Sequence, residues 1–138
     1  MSHTVPIVVR GYELDTLGHV NQAVYHQYAE HARWELLREA GLAGDKLIAA
    51  GIAPVVLETT IKYLRELRGG DEITVTTDSE WTSGKIFRFR QRIVKLDGTV
   101  SAELVVTGGV MDLTARKLIA DPAERLRALA DRPDLLDL

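Results

Sequence analysis

A carboxylate, a glycine turn and a predicted helix start lie close together near the beginning of this chain. Asp15 precedes Gly18, and Asn21 is a favourable capping residue for a helix that begins directly after it. The first N–H groups of a helix have no partner inside it and stand at the positive end of its dipole, so they can stabilise a negative oxygen. A carboxylate beside them can act as a general base or as a nucleophile.

The helix that positions this turn is predicted over residues 22–40. Its apolar side chains recur at spacings of three and four, which places them on one face, and further apolar residues widen that face. Gly41 is typical of the position that follows a helix. A helix that is apolar over much of its circumference is buried, so we expect the rest of the chain to surround it.

The rest of the chain is predicted to be mostly β-structure. Apolar–polar alternation, β-branched residues and glycine turns predict five strands, over residues 5–12, 55–67, 72–81, 86–96 and 99–113. Residues 42–53 are predicted as a loop with one helical turn, and Asp121-Pro122 as the start of a second helix, preceded by a short extension at residues 117–119. Gly108 and Gly109 suggest a bulge within the last strand, or a close approach there by another backbone or a ligand.

This order of elements predicts an α+β fold in which a five-stranded antiparallel sheet curls around one long central helix, with a short C-terminal helix added. We expect residues 1–138 to form a single domain, with residues 131–138 as a loosely ordered tail. Five strands cannot close around so long a helix. The exposed edges and face should therefore be covered by a second copy of the chain.

Composition excludes several classes of protein. The net charge of −3 argues against a general nucleic-acid binder. The absence of cysteine removes disulfides, thiolate metal sites and cysteine nucleophiles, and fits a cytoplasmic chain. The first residues do not have the pattern of a signal peptide, and no apolar run is long enough to span a bilayer. We therefore expect a soluble cytoplasmic protein that binds neither nucleic acid nor membrane.

One segment combines these features in a specific pattern, Asp15-x-x-Gly18-His19-Val20-Asn21-x-x-x-Tyr25-x-x-Tyr28-x-x-x-x-Ala32-Arg33. It is followed by Tyr63-Leu64-Arg65, Gly70-Asp71-Glu72-Ile73 and Asp97-Gly98. Together with the element order, these residues resemble the hotdog-fold acyl-CoA thioesterases, in particular the 4-hydroxybenzoyl-CoA thioesterase-like branch. Some members of that branch carry Tyr-His where this chain has Asn21-Gln22, a difference that favours the fatty-acyl or acyl-carrier-protein-directed relatives.

The resemblance implies an enzyme that hydrolyses an acyl-CoA or acyl-carrier-protein thioester to a free acid and a thiol. It implies that Asp15 is the catalytic carboxylate, acting by direct attack or as a base on water. Backbone N–H groups at the start of the helix would polarise the carbonyl, and the residues concerned are Gly18, His19, Val20, Asn21 and Gln22. It also implies a homodimer with the acyl site at the subunit interface, while a homotetramer stays open. Coenzyme A would be part of the substrate, and neither another cofactor nor a metal is expected.

Each candidate residue also has a structural interpretation. An aspartate before a glycine turn often only caps that turn, His19 could be bonded to backbone, and Asn21 is first a helix cap. Tyr25 could line the acyl pocket or belong to the core. One set of cations has two interpretations, a site for the phosphates of coenzyme A or a solvated charged surface, and it consists of Arg65, Arg68, Lys85, Arg88 and Arg90.

Two other functions fit the same fold. A module that binds acyl-CoA or acyl carrier protein without cleaving it would show binding and no thiol release. A thioester hydratase or dehydratase would need an Asp/His pair acting together on the substrate, and the sequence places no partner for such a pair.

Overall fold

The computed structural model describes residues 2–138 and shows one antiparallel sheet that curls over a long helix. The strands are β1 (His3–Val8), β2 (Ile52–Tyr63), β3 (Glu72–Trp81), β4 (Ile86–Lys95), β5 (Val100–Asp112) and β6 (Lys117–Leu118), and the helices are α1 (Gln22–Glu39), α2 (Gly44–Ala49) and α3 (Pro122–Leu129). The order in the sheet is β1-β3-β4-β5-β2, with the two-residue β6 paired to the end of β5. The predicted fold is confirmed.

Helix α1 begins at the predicted residue because Asn21 caps it. The Asn21 Oδ1 accepts a hydrogen bond from Ala23 N at 2.9 Å. Gly41, at a φ of +84°, follows the helix in the left-handed conformation that favours glycine. The face that α1 buries belongs to one hydrophobic core together with the inner face of the sheet, and consists of Tyr25, Tyr28, Ala29, Ala32, Leu36 and Leu37.

The inner face of β3 and β4 follows the predicted alternation, with Ile73, Val75, Phe89 and Ile93 buried. Gln91 is buried among them and is fully hydrogen-bonded. Its Nε2 donates to Ala29 O at 2.9 Å and to Thr77 Oγ1 at 3.0 Å, and its Oε1 accepts from Arg33 Nη1 at 3.0 Å. A buried amide with all its partners fixes the position of α1 over the sheet, because any shift would leave a polar group unpaired.

The first strand is shorter than predicted. The β1 strand ends at Val8, and Gly11–Glu13 form a short 3-10 helix instead of extending the strand. The chain turns here because the Glu13 Oε1 accepts a hydrogen bond from Arg10 N at 2.8 Å. A side chain that accepts hydrogen bonds from nearby backbone N–H groups competes with the hydrogen bonds that would pair those groups with a neighbouring strand.

The β2 strand starts earlier than predicted, at Ile52, and includes Pro54. Proline is tolerated because β2 is an edge of the sheet, where a missing N–H costs least. The register between β2 and β5 shifts between Val56 and Glu58, so the extra residue, Leu57, lies on β2 opposite Gly108. A Cβ at Gly108 would lie 3.0 Å from Val55 O, which confirms the predicted close approach.

The expectation of a loosely ordered tail is wrong. Residues Pro133–Leu136 form a 3-10 helix, and Leu136 is fully buried in the main core. The Leu136 carbonyl accepts a hydrogen bond from Trp81 Nε1 at 2.6 Å. The tail is ordered because it buries apolar surface and provides the acceptor that a half-buried tryptophan needs.

Truncating this leucine should therefore destabilise the whole domain. We expect Leu136→Ala to lower the free energy of unfolding by about 2–5 kcal/mol, from lost burial and the cavity left behind. Urea denaturation followed by tryptophan fluorescence measures this change. Leu96→Ala is the matched control, since Leu96 is 79% exposed; equal losses in the two variants would contradict the tail's role in the core.

Candidate active site

A cleft of about 560 Å³ opens at the N-terminal end of α1. It is lined by the predicted turn, the helix start and the chain that leaves β2, namely Asp15, His19, Val20, Asn21, Gln22, Tyr25, Tyr63, Leu64, Arg65 and Glu66. Asp15 and the first turn of the helix therefore share one cavity. Gly18 lies in the turn itself and does not line the cleft.

Asp15 organises the turn that contains it. Its Oδ1 accepts hydrogen bonds from Leu17 N at 2.8 Å and His19 N at 3.2 Å. Gly18, whose φ of +78° favours glycine, donates its N–H to Asp15 O at 3.1 Å. These bonds use only one carboxylate oxygen. Within residues 2–138 the Oδ2 atom has no hydrogen-bond partner, and the side chain is exposed to solvent.

The backbone N–H groups of the turn are mostly occupied. His19 N and Gly18 N bond to Asp15, Val20 N donates to Leu67 O at 2.8 Å, and Asn21 N donates to Glu13 O at 2.9 Å. The Ala23 N–H is taken by the Asn21 cap. Within residues 2–138, Gln22 N is the one N–H from Gly18 to Ala23 that has no acceptor. Of the five backbone donors predicted over residues 18–22, Gln22 N is therefore the one that stays available to a substrate within the described residues.

Two further contacts fix this helix end. Tyr63 Oη donates to Gln22 O at 3.2 Å, which ties the first helical residue to the end of β2. The Tyr63 ring also packs edge-on against Tyr25, with 5.1 Å between the ring centroids. Tyr25 is buried, and its burial raises the pKa of its hydroxyl. Tyr25 thus both lines the cleft and belongs to the core.

Glu13 holds the turn in place through a buried hydrogen-bond network. The sequence analysis did not predict it as a site residue. Its carboxylate is buried and accepts hydrogen bonds from Arg10 Nη2 at 2.6 Å and from Tyr28 Oη at 2.7 Å. Burial alone would raise the pKa of Glu13, but the hydrogen bonds from Arg10 and Tyr28 outweigh it and hold that pKa below its usual range. Because Glu13 O also accepts from Asn21 N, this network connects the core to the helix cap.

The lowered pKa of Glu13 predicts acid sensitivity. A carboxylate whose pKa is lower in the folded state stabilises the fold above its unfolded pKa of about 4.3, and this contribution is lost as the pH falls through the folded value. We expect Glu13→Gln to cost about 1–3 kcal/mol at neutral pH and to flatten the decline of stability in acid. Urea unfolding across a pH series measures both. Glu103→Gln, at an exposed strand position, should reproduce the wild-type curve.

His19 is held by a side chain and not only by backbone. Its Nε2 lies 2.6 Å from Glu66 Oε2, and its backbone forms an isolated bridge with Arg68. Arg68 Nη2 donates to Glu66 Oε1 at 3.0 Å, and this guanidinium, together with the nearby His19, holds the pKa of Glu66 below its usual range. Glu66 thereby connects the turn to the segment after β2. Sequence reasoning missed this contact because residues 19 and 66 meet only in the folded chain.

The predicted cations separate into two groups. Arg65 lines the cleft and Arg68 lies beside it. Lys85, Arg88 and Arg90 lie on or next to β4, and Arg90 pairs with Glu80 at 2.5 Å. Tyr63, at the cleft, is opposite Ala102 of β5, whereas Arg90 and Arg88 are opposite Val105 and Thr107, about 10 and 17 Å further along that strand. One chain therefore does not bring the five cations together, and phosphate binding by them stays a prediction.

The chain belongs to the thioesterase-like superfamily, whose profile matches residues 9–129. The fold and the turn before α1 define a hotdog-fold member of that family, so the resemblance seen in the sequence is confirmed. The crystal structure of YbaW, a probable thioesterase from Escherichia coli, superposes with a TM-score of 0.82 at 32% identity, covering 93% of this chain and 98% of YbaW.

Two relatives of known activity show how far the likeness extends. This chain is 35% identical to the long-chain acyl-CoA thioesterase FadM of E. coli K12 over 115 residues, which are 83% of this chain and 86% of FadM. It is 40% identical over 94 residues to the chloroplastic acyl-acyl carrier protein thioesterase ATL3 of Arabidopsis thaliana. That match covers 68% of this chain and 50% of ATL3, so the chain spans about half the length of this plant relative. Among residues 2–138, no helix has the length and apolar character needed to cross a membrane.

Proposed function

We propose that this protein hydrolyses acyl thioesters in the cleft at the start of α1. The observation that carries the proposal is that Asp15 and Gln22 line one cleft and that, within residues 2–138, the Asp15 Oδ2 accepts no hydrogen bond and the Gln22 N–H donates none. A carboxylate oxygen supplies a base or nucleophile, and a helix N–H supplies a donor for an oxyanion. Thioester hydrolysis needs these two groups.

The proposed reaction begins with the thioester carbonyl oxygen accepting a hydrogen bond from Gln22 N. Asp15 either removes a proton from a water molecule that attacks the carbonyl carbon, or attacks that carbon itself to form an anhydride that water then cleaves. The negative charge that develops on the carbonyl oxygen is stabilised by the N–H and by the positive end of the helix dipole. In the first route the C–S bond breaks as the tetrahedral intermediate collapses, and Asp15 returns its proton to the departing thiolate. In the second route the C–S bond breaks as the anhydride forms, before water cleaves it, and the departing thiolate takes its proton from solvent. The proposed reaction uses no cofactor beyond the coenzyme A part of the substrate.

We infer that the substrate carries its acyl group on a phosphopantetheine arm, either in coenzyme A or on an acyl carrier protein. The names of FadM and ATL3 support one carrier each. Arg65 at the rim of the cleft makes no ion pair within residues 2–138, its guanidinium donating only to Leu64 O at 2.8 Å. It is therefore available to a phosphate. We also propose that the active unit is a homodimer.

A thiol-release assay tests the proposal. The purified protein is incubated with short, medium and long aliphatic acyl-CoAs, benzoyl-CoA and an acylated carrier protein, and free thiol is followed with a thiol-reactive dye. We expect release in proportion to protein concentration with at least one of these substrates. Binding of acyl-CoA without thiol release would instead show a binding module. In a parallel incubation with an enoyl-CoA, loss of its conjugated absorbance without thiol release would show a hydratase.

A further inference from the structure

Three short extended segments meet beside the cleft and form a small antiparallel patch. The first pairs with the second through the bridge between Leu14 and Val20, and the second pairs with the third through the bridge between His19 and Arg68. The middle segment therefore holds the other two together. In chain order the three segments are residues 14–15, 19–20 and 66–68.

This patch has one apolar face and one charged face, because side chains alternate between the two faces of an extended segment. The apolar face points into the core, where Val20 and Leu67 are buried and Leu14 packs against them. The opposite face carries the remaining side chains of the three segments, which are Asp15, His19, Glu66 and Arg68. All of these except Arg68 line the cleft.

His19 lies directly beside Asp15 on the charged face. The bridge between Leu14 and Val20 makes residues 15 and 19 the next opposite pair. Asp15 N donates a hydrogen bond to His19 O at 2.7 Å, and His19 N donates one to Asp15 Oδ1 at 3.2 Å. The Cβ atoms of opposite residues in an antiparallel pair are roughly 5 Å apart. The imidazole therefore stands next to the carboxylate that the proposed reaction uses.

Glu66 fixes which nitrogen of His19 carries a proton. Arg68 donates to Glu66 Oε1 at 3.0 Å and holds the pKa of Glu66 below its usual range, so this carboxylate is ionised at neutral pH and only accepts hydrogen bonds. Because Glu66 Oε2 lies 2.6 Å from His19 Nε2, that nitrogen carries the proton. The Nδ1 of a neutral ring then keeps its lone pair. Within residues 2–138, Nδ1 makes no hydrogen bond.

One route of the proposed reaction contains a step that lacks a base. When Asp15 attacks the thioester carbon, the thiolate leaves and an anhydride joins the acyl group to Asp15. Asp15 is then no longer a carboxylate, so it cannot take a proton from the water that cleaves the anhydride. The lone pair of His19 Nδ1, on the same face of the patch, is a suitable acceptor for this proton.

We propose that His19 is the base for the water that cleaves the Asp15 anhydride, and that Glu66 positions its ring. This inference rests on the proposed function and selects the route in which Asp15 is the nucleophile. One water proton moves to Nδ1 as the water oxygen bonds to the acyl carbon. The bond from that carbon to the Asp15 oxygen breaks, and Asp15 leaves as a carboxylate. The product acid and the ring then each release a proton to solvent.

The time course of thiol release separates formation of the anhydride from its cleavage. Wild type and His19→Gln are mixed with the acyl-CoA that wild type cleaves fastest, and thiol is followed by stopped flow. Glu66→Gln is a second variant, because glutamine keeps an oxygen that accepts from Nε2 but lacks the charge. His26→Gln is the matched control, since His26 is an exposed histidine of α1 outside the cleft. Urea unfolding curves show that each variant is folded.

We expect His19→Gln to release an initial burst of thiol equal in amount to the protein, because the anhydride forms without His19. Its steady-state kcat should then be about 100-fold to 10,000-fold below that of wild type. Glu66→Gln should show the same burst with a smaller loss of kcat, because the ring keeps its nitrogen but loses the carboxylate that stabilises its charged form. His26→Gln should match wild type.

Two results would overturn the inference. One is a wild-type kcat in His19→Gln, and the other is a loss of kcat without a burst, which is expected if His19 is only a structural contact or if Asp15 acts as a base on water. If His19→Gln does not fold, the presence or absence of the burst in Glu66→Gln decides. A wild-type protein that releases no thiol, or a fully active Asp15→Asn variant, would instead overturn the proposed function.

Discussion

Replacing Asp15 with asparagine should lower kcat for thioester hydrolysis by about 100-fold to 10,000-fold, the usual contribution of a positioned base or nucleophile. Asparagine keeps a side-chain Oδ1, so it can still accept the hydrogen bonds from Leu17 N and His19 N. What it loses is the free carboxylate oxygen. The measurement is thiol release under saturating substrate, together with a urea unfolding curve.

Asp112→Asn is the matched control for this change. Asp112 Oδ1 accepts hydrogen bonds from Thr114 N at 2.8 Å and Ala115 N at 2.9 Å, so it makes the same kind of turn outside the cleft. We expect this variant to retain wild-type kcat. If Asp15→Asn also retained it, Asp15 would be only a turn residue. If Asp15→Asn lost activity only in proportion to a loss of folded protein, Asp15 would likewise be only a turn residue.

Replacing Gln22 with proline should lower kcat by about 100-fold to 1,000-fold, which is the cost of removing one donor from an oxyanion site. Gln22 is the first residue of α1, where proline is tolerated because the missing N–H has no helical acceptor. Asn21 has φ −58° and ψ 137°, a conformation that is compatible with a following proline. The substitution therefore removes the proposed donor with little change to the helix.

Gln22→Ala is the control, because it removes the side chain and keeps the N–H. We expect Gln22→Ala to have nearly wild-type kcat, and both variants to keep the wild-type circular dichroism spectrum and unfolding midpoint. If the proline and alanine variants had equal activity, the oxyanion donor would lie elsewhere. If the alanine variant alone lost activity, the side chain of Gln22 would be the functional group.

Much of the fold was predictable because its signals are local. Alternation over β3 and β4 identified their inner faces, and Asn21 and Gly41 marked both ends of α1 within one residue. The errors occurred where a distant contact decides the outcome. Leu136 becomes ordered through Trp81, which is 55 residues away in the sequence. The turn after β1 forms because buried Glu13 bonds to Arg10 and Tyr28, and no periodic pattern identifies such a carboxylate.

The candidate site shows the same contrast between local features, which the sequence reveals, and distant contacts, which it does not. That a carboxylate, a glycine turn and a helix start are adjacent was readable from the amino-acid order alone, because residues so close along the chain cannot separate in space. Which of their groups remain free depends on the folded chain. Leu67, Glu13 and Asn21 accept the neighbouring N–H groups, and among the described residues 2–138 none accepts from Gln22 N. Hydrogen-bond partners come from segments that meet only when the chain folds, so the identity of the unpaired donor is a property of the folded chain.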